Sequence, residues 1–120
     1  MNSFVVDCGT YPFDILIYFG ENVEGLFKDI KGKLSKADFK GLQKSEFKAG
    51  KAIMLDTNQT VLWLREKPTT AKDFGLLSHE IYHCTGFVLR SVGIQYSEET
   101  EEAYAYLIQY LTEQIYEKLA

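Results

Sequence analysis

The segment at residues 77–83, with the sequence LSHEIYH, decides how the rest of this chain is interpreted. It contains the pattern H-E-x-x-H within a stretch whose apolar spacing predicts a helix. Residues four positions apart lie on one face of a helix, so His79 and His83 can bind the same metal ion. This spacing is a zinc signature. Glu80 follows His79 directly, and a carboxylate placed there can act as general base toward a metal-bound water.

The predicted helix spans about residues 71–92. Gly86 lies on the same face as the histidines, and because glycine costs helix stability we expect another backbone to approach there. Leu89 stands where the longer pattern H-E-x-x-H-x-x-G-x-x-H requires a third histidine, so the chain is not a metzincin. His79 and His83 are the only histidines in the chain. A third protein ligand therefore has to be a carboxylate or a cysteine.

Composition predicts one globular domain over residues 1–120, since 120 residues can bury a single core without disulfides. The net charge of −4 argues against nucleic acid or an anionic membrane surface as a partner. No stretch is long enough to span a bilayer, and Asp7 and Asp14 interrupt the region where a signal peptide needs an apolar core. We therefore expect a cytoplasmic location. The two cysteines, Cys8 and Cys84, are predicted to be buried thiols, with Cys8 open as a metal ligand.

Four runs rich in β-branched and aromatic residues predict strands, and they are centred on Val5, Ile15, Ile53 and Leu62. The polar residues 56–59 connect the last two as an antiparallel hairpin. Trp63 is expected to pack in the core, or alternatively to mark its strand as an edge strand that pairs with substrate backbone beside the cleft. Residues 35–51, rich in lysine and interrupted by glycine, predict a loop with one short helical turn.

Ser97 is predicted to cap a C-terminal helix that has four glutamates in its opening turns. Negative charge is favourable at a helix N-terminus and accounts for most of them, while one can turn inward as a metal ligand. The predicted fold class is α+β. A small twisted antiparallel or mixed sheet is covered on one face by the predicted helix at residues 71–92, which carries the two histidines, and by the C-terminal helix.

Residues 79–83 (HEIYH) and 102–107 (EAYAYL), separated by fewer than twenty residues, resemble the gluzincin metallopeptidases. The similarity covers roughly residues 52–111 and is to the small single-domain, minigluzincin-like proteins of phages and mobile elements. It implies a zincin-like fold in which His79, His83 and Glu102 bind zinc and Glu80 is the general base. A count of the apolar helix face favours Glu101 as the third ligand, whereas the family pattern and the small neighbour Ala105 favour Glu102.

The chain departs from thermolysin-like members of this group in two ways. It has no further histidine to stabilise the oxyanion, and Tyr106 stands four residues after Glu102, where those members have an aspartate. An oxyanion donor would have to come from Tyr96, Tyr104 or Tyr106, whose hydroxyls can donate to developing negative charge.

These features predict a zinc-dependent peptidase or amide hydrolase acting on a peptide or protein substrate, with the oligomeric state left open. A second interpretation is a zinc-binding regulatory or interaction module of phage origin that cleaves nothing. A third is a helical interaction protein without metal. The first two differ in whether Glu80 matters for anything beyond metal affinity.

Overall fold

A computed structural model of the chain describes residues 2–120. Its four strands are β1 (Ser3–Cys8), β2 (Tyr11–Phe19), β3 (Gly50–Met54) and β4 (Gln59–Leu64). Its four α-helices are α1 (Glu24–Ile30), α2 (Lys36–Lys44), α3 (Ala71–Ser91) and α4 (Glu101–Leu119), and one 3-10 turn, Lys31–Lys33, follows α1. The α+β class and the four predicted strands are confirmed.

The strands form one mixed sheet in the order β1-β2-β4-β3. The β1–β2 and β3–β4 pairs are antiparallel, as the predicted hairpin requires, while β2 and β4 are parallel, with Ile17 opposite Leu62. The strand that carries Trp63 is therefore an interior strand, and its interpretation as an edge strand is wrong. Trp63 is only 1% exposed, and its indole nitrogen donates to the Gly20 carbonyl oxygen at 2.8 Å, so it has a packing role. The edge strands are β1 and β3.

One face of the sheet packs against α3 and α4 and forms the larger of two hydrophobic cores. Within it, α3 contributes Leu77, Ile81 and Val88, and α4 contributes Leu107, Leu111 and Ile115. This layer is the one that the sequence predicted. It brings the two helices together as an antiparallel hairpin, with Phe74 stacked on Tyr116 at 5.2 Å at one end. At the other end the Tyr104 hydroxyl donates to the Ile94 carbonyl oxygen at 2.7 Å.

The opposite face of the sheet is covered by a second helical layer, α1 and α2. The spacing of the apolar residues at 26, 27, 30 and 34 predicts α1, whereas α2 was missed. The prediction of a loop at residues 35–51 is wrong, because α2 occupies nine of these residues. Its N-cap is Ser35, whose hydroxyl accepts from the Asp38 amide at 3.1 Å. Phe39 and Leu42, spaced as on one helix face, pack toward Trp63 and its neighbours. A β-carbon added at Gly41 would meet no atom within 4 Å apart from the backbone of its own helix, so the position lies in open space.

Helix α3 starts where the sequence predicts, with a capping box in which Thr70 and Asp73 bond reciprocally to each other's backbone amides. It is followed by Gly93, whose φ of 85° is in the left-handed region that glycine tolerates best. The predicted cap of the next helix at Ser97 is three residues early, since Ser97 and Thr100 bond to each other in a turn, Thr100 is the N-cap and α4 begins at Glu101. Within residues 2–120, no helix combines the length and apolarity needed to cross a membrane.

Candidate metal centre

The two histidines of the motif lie one turn apart on the solvent side of α3. Both are exposed, and their Nε2 atoms are 3.2 Å apart. Their rings meet edge to face with centroids 4.8 Å apart, and at this separation one ring nitrogen can donate a hydrogen bond to the other. The same-face geometry that the four-residue spacing predicted is therefore present.

Glu80 lies on a different side of the helix, directed toward strand β3. Its side chain is only 5% exposed, although glutamate is among the residues least often buried without a partner. Within residues 2–120, the only salt bridge is Lys48–Glu46, and Glu80 makes no hydrogen bond. The carboxylate keeps some contact with solvent, because the only fully buried and unpaired side-chain polar atom within residues 2–120 is Thr60 Oγ1.

The backbone of β3 at Gly50 leaves the space that the Glu80 carboxylate occupies. A β-carbon added at Gly50 would lie 2.9 Å from Glu80 Oε2, 3.0 Å from Leu64 Cδ2 and 3.2 Å from Leu76 Cγ. The first distance is shorter than real β-carbon contacts and the other two are tighter than most of them, so a larger residue here would have to displace a neighbour. Sequence analysis missed Gly50. It falls in the predicted loop at residues 35–51, and the signal that could have identified it is a glycine close to a predicted strand, which often marks a close approach.

The pKa of Glu80 is raised above its ordinary value, and burial is the main cause because it disfavours the charged form. The positive charges of His79, His83 and Lys51 act in the opposite direction and lower it. The balance leaves a carboxylate with more proton affinity than an exposed one. That is the property a general base needs near neutral pH.

A cavity of about 600 Å³ opens beside His79. Its walls come from the end of β4, the residue before β3 and the first turns of α3, and it is lined by Ala49, Leu64, Arg65, Glu66, Lys72, Asp73, Gly75, Leu76 and His79. The volume is in the range of pockets that hold small molecules or side chains. The histidine pair therefore stands at the rim of a concave surface next to an edge strand.

Three of the predicted site residues come together as one group. The ligand atoms of His79, Glu80 and His83 all lie within 4.8 Å of one another, an arrangement that could hold a metal ion. Cys8 is not a member of it, since it is buried in β1 and burial raises the pKa of its thiol to about 12. The open possibility of Cys8 as a ligand therefore has no support in the structure.

Glu102 is not brought to this group. It lies exposed in the first turn of α4, as does Glu101. That turn is at the Ile94 end of the helical hairpin, whereas His79 lies toward the Phe74 end. The assignment of Glu102 as third ligand therefore stays a prediction from the resemblance.

The tyrosines considered as oxyanion donors are also directed elsewhere. Tyr104 is 4% exposed, with its hydroxyl committed to the Ile94 carbonyl and its ring stacked on Tyr96 at 5.2 Å. Tyr106 is 66% exposed and lines concavities next to Tyr110 and the β1–β2 turn, which share no residue with the cavity at His79. In this arrangement Tyr104 supports the helix hairpin, and Tyr106 belongs to a different surface.

Gly86 was expected to admit another backbone. The three atoms nearest to a β-carbon added there all belong to the Arg90 guanidinium of the same helix, the closest at 2.6 Å. The space at Gly86 is thus filled by a side chain one turn further along α3. The expectation of a close backbone approach is not met.

Comparisons of this chain with protein-family models, with curated proteins and with solved structures find no match. The function has to be inferred from the site itself.

Proposed function

We propose that this protein is a zinc-dependent peptidase or amide hydrolase in which Glu80 is the general base and His79 and His83 are zinc ligands. Glu102 is proposed as the third ligand on the resemblance of residues 102–107 to the gluzincin pattern, together with the zincin-like fold and phage origin that this resemblance implies. The substrate is proposed to be a peptide or protein, bound in the cavity beside His79.

The observation that carries the proposal is the state of Glu80. A glutamate side chain that is 5% exposed and has no hydrogen bond or salt bridge within residues 2–120 is partly desolvated, which disfavours its charged form. A glycine on the neighbouring strand leaves the space for it. A metal ion beside the carboxylate, held by the two adjacent histidines, would supply the missing positive charge. A purely structural helix has no use for this combination.

The histidine geometry fits zinc. Zinc–nitrogen bonds are about 2.0–2.1 Å, so two nitrogens bound at the tetrahedral angle are about 3.3 Å apart. The Nε2 atoms of His79 and His83 are separated by 3.2 Å. The proposed donor set, two imidazoles with the carboxylate of Glu102, is also one that zinc prefers. The pair needs little rearrangement to bind the ion.

The residues then divide the chemistry among them. Zinc, when bound, supplies a Lewis acid that acidifies water and polarises a carbonyl. Glu80, buried beside the histidines, accepts the proton of the attacking water and can return it to the departing nitrogen. The walls of the cavity position the substrate beside His79.

The test separates metal binding from catalysis. Protein purified without a chelator or a histidine tag is analysed for zinc and assayed on a broad peptide library, beside Glu80→Gln and the exposed control Glu117→Gln. We expect zinc in all three, and cleavage in wild type and Glu117→Gln only. Zinc-loaded wild type that cleaves no peptide would exclude the peptidase, and wild type without zinc would remove the metal centre altogether.

The second candidate is a zinc-binding regulatory or interaction module that cleaves nothing. A specific observation favours it, because neither Glu102 nor the hydroxyls of Tyr104 and Tyr106 lie at the histidine pair. A site with no oxyanion donor would lose about a hundredfold to a thousandfold in rate. In this case Glu80→Gln changes zinc affinity and nothing else.

A further inference from the structure

Helix α4 and the turn between β1 and β2 form a shallow trough lined by tyrosines. One concavity, of about 400 Å³, is formed by residues 8–11 and by α4 residues that include Tyr106 and Tyr110. A second, of about 360 Å³, continues past the same two tyrosines to Glu113. From Ala103 to Glu113 the trough follows α4 for about 15 Å at 1.5 Å per residue. We define the tyrosine trough as these two concavities together.

The wall at Tyr110 is fixed in place. Its hydroxyl donates to Asp7 Oδ1 at 2.6 Å, and the Gly9 amide donates to the same oxygen at 2.8 Å. Gly9 has a φ of 70°, and a β-carbon added there would lie 3.8 Å from the Tyr110 ring. The turn and the ring therefore hold each other, and the trough does not depend on a mobile side chain.

Tyr106 presents an exposed aromatic face in the trough, whereas Tyr110 and Tyr11 are partly buried against the core. Tyr106 is 66% exposed. Of the rings described for residues 2–120, neither Tyr106, Tyr110 nor Tyr11 stacks on another aromatic ring, and no Lys or Arg lies over any of them. Tyrosine faces attract cations, most strongly the planar guanidinium of arginine.

Charge around the trough selects the same kind of partner. Residues 2–22, which contain β1 and β2, carry three acidic residues and no Lys, Arg or His. Residues 92–120, which contain α4, carry six acidic residues and a single base, Lys118. By contrast, eight lysines lie within residues 28–51, in the helical layer on the other face of the sheet and in β3. The net charge of −4 thus combines an acidic side that carries the trough with a lysine-rich side, where the tyrosine that packs in the layer, Tyr18, is partly buried.

We infer that the tyrosine trough binds an extended, arginine-bearing segment of a partner protein. Its length fits about five residues of extended chain at about 3.3 Å per residue, more than a single small cation requires. Arginine side chains stack on Tyr106 and Tyr110, while Glu113 supplies negative charge at one end. The chain's own two arginines, Arg65 after β4 and Arg90 in α3, lie in different elements, so no extended segment of a second copy carries two arginines. This inference does not rest on the proposed hydrolase.

The experiment uses a fluorescein-labelled peptide of alternating arginine and serine, about eight residues long, in fluorescence anisotropy at low salt. We expect it to bind wild type, and a peptide with glutamate in place of arginine not to bind. Tyr106→Ala should weaken binding about tenfold, because it removes an aromatic face, whereas Tyr106→Phe should retain it. Tyr96→Ala is the matched control, since Tyr96 is 60% exposed and lies outside the trough, and it should bind as wild type does.

Two results would overturn the inference. The first is folded wild type that fails to bind the arginine peptide. The second is an equal loss of peptide affinity in Tyr106→Ala and Tyr96→Ala, which would mean that the peptide is held by non-specific charge attraction. Sedimentation of the protein alone tests whether the trough binds a second copy of the chain instead. Self-association at low salt that is lost in Tyr106→Ala would assign the trough to a second copy and not to an arginine-bearing partner.

Discussion

Helices α3 and α4 lie side by side on the same face of the sheet, yet their candidate site residues behave differently. The histidines and Glu80 of α3 form one group with ligand atoms within 4.8 Å. The α4 candidates Glu102, Tyr104 and Tyr106 do not reach that group. Residues on one helix have distances set by the helix itself, whereas residues on two helices have distances set by packing. The predictions below test this difference.

The largest effect is expected from the double variant His79→Ala and His83→Ala. It removes both imidazoles from the only group of metal-ligating side chains found in residues 2–120, so stoichiometric zinc should be lost completely. The measurement is elemental analysis of the folded variant beside wild type, with circular dichroism as the check on folding. Unchanged zinc content would show that α3 is not the metal site.

Gly50→Ala tests the space on β3 that accommodates Glu80. The added methyl group would overlap the carboxylate and two leucines, and such overpacking costs about 1–3 kcal/mol in the free energy of unfolding. Gly41→Ala is the matched control, because Gly41 lies in α2 with no atom nearby, and alanine there should stabilise by about 0.5–1 kcal/mol. Urea denaturation measures both. Equal stabilities would show that Glu80 does not fill the space at Gly50.

Glu102→Gln tests whether α4 contributes a ligand after all. If Glu102 completes the site when zinc binds, the substitution should weaken zinc affinity about tenfold or more, equivalent to about 1.4 kcal/mol. Glu101→Gln, one residue away and equally exposed, should leave the affinity unchanged. Competition with a chelator measures both variants. Identical affinities would confine the ligands to α3, and a loss in Glu101→Gln alone would move the assignment to Glu101.

Tyr110→Phe tests how α4 is anchored to β1, and the smallest effect is expected here. The Tyr110 hydroxyl and the Gly9 amide hold the pKa of Asp7 below 3.8, and the same bond raises the pKa of Tyr110 above 10.0. A carboxyl group whose pKa is lowered by folding stabilises the fold at pH values above 3.8, and this stabilisation is lost as the pH falls. A phenol whose pKa is raised by folding stabilises the fold at pH values below 10.0. The stability deficit of the variant should therefore be full near pH 7 and should shrink toward pH 2.

Urea midpoints at several pH values measure this deficit. Asp7→Asn is the companion variant, since it removes the charge and keeps the side-chain shape. A deficit in Tyr110→Phe that stayed constant from neutral pH to acid would mean that the hydroxyl is not bonded to the Asp7 carboxylate.

Much of the fold followed from local patterns in the sequence. The four strands, the hairpin at residues 56–59 and the Thr70 start of α3 depend on alternation, turn residues and capping, which act over a few residues. Helix α2 was missed because its polar, glycine-containing sequence is a weak helix signal. Phe39 and Leu42 gain a reason to form one face only when β4 presents Trp63 to them.

The same division between local sequence pattern and tertiary packing applies to the candidate metal centre. The sequence by itself determined that His79 and His83 share a face of α3, because the helix repeat fixes their separation. Only the tertiary structure decided that Glu80 is buried against Gly50 and that β3, not β4, is the edge strand beside it. It also decided that Tyr104 and Tyr106 face away, since the packing of two helices depends on all the side chains between them.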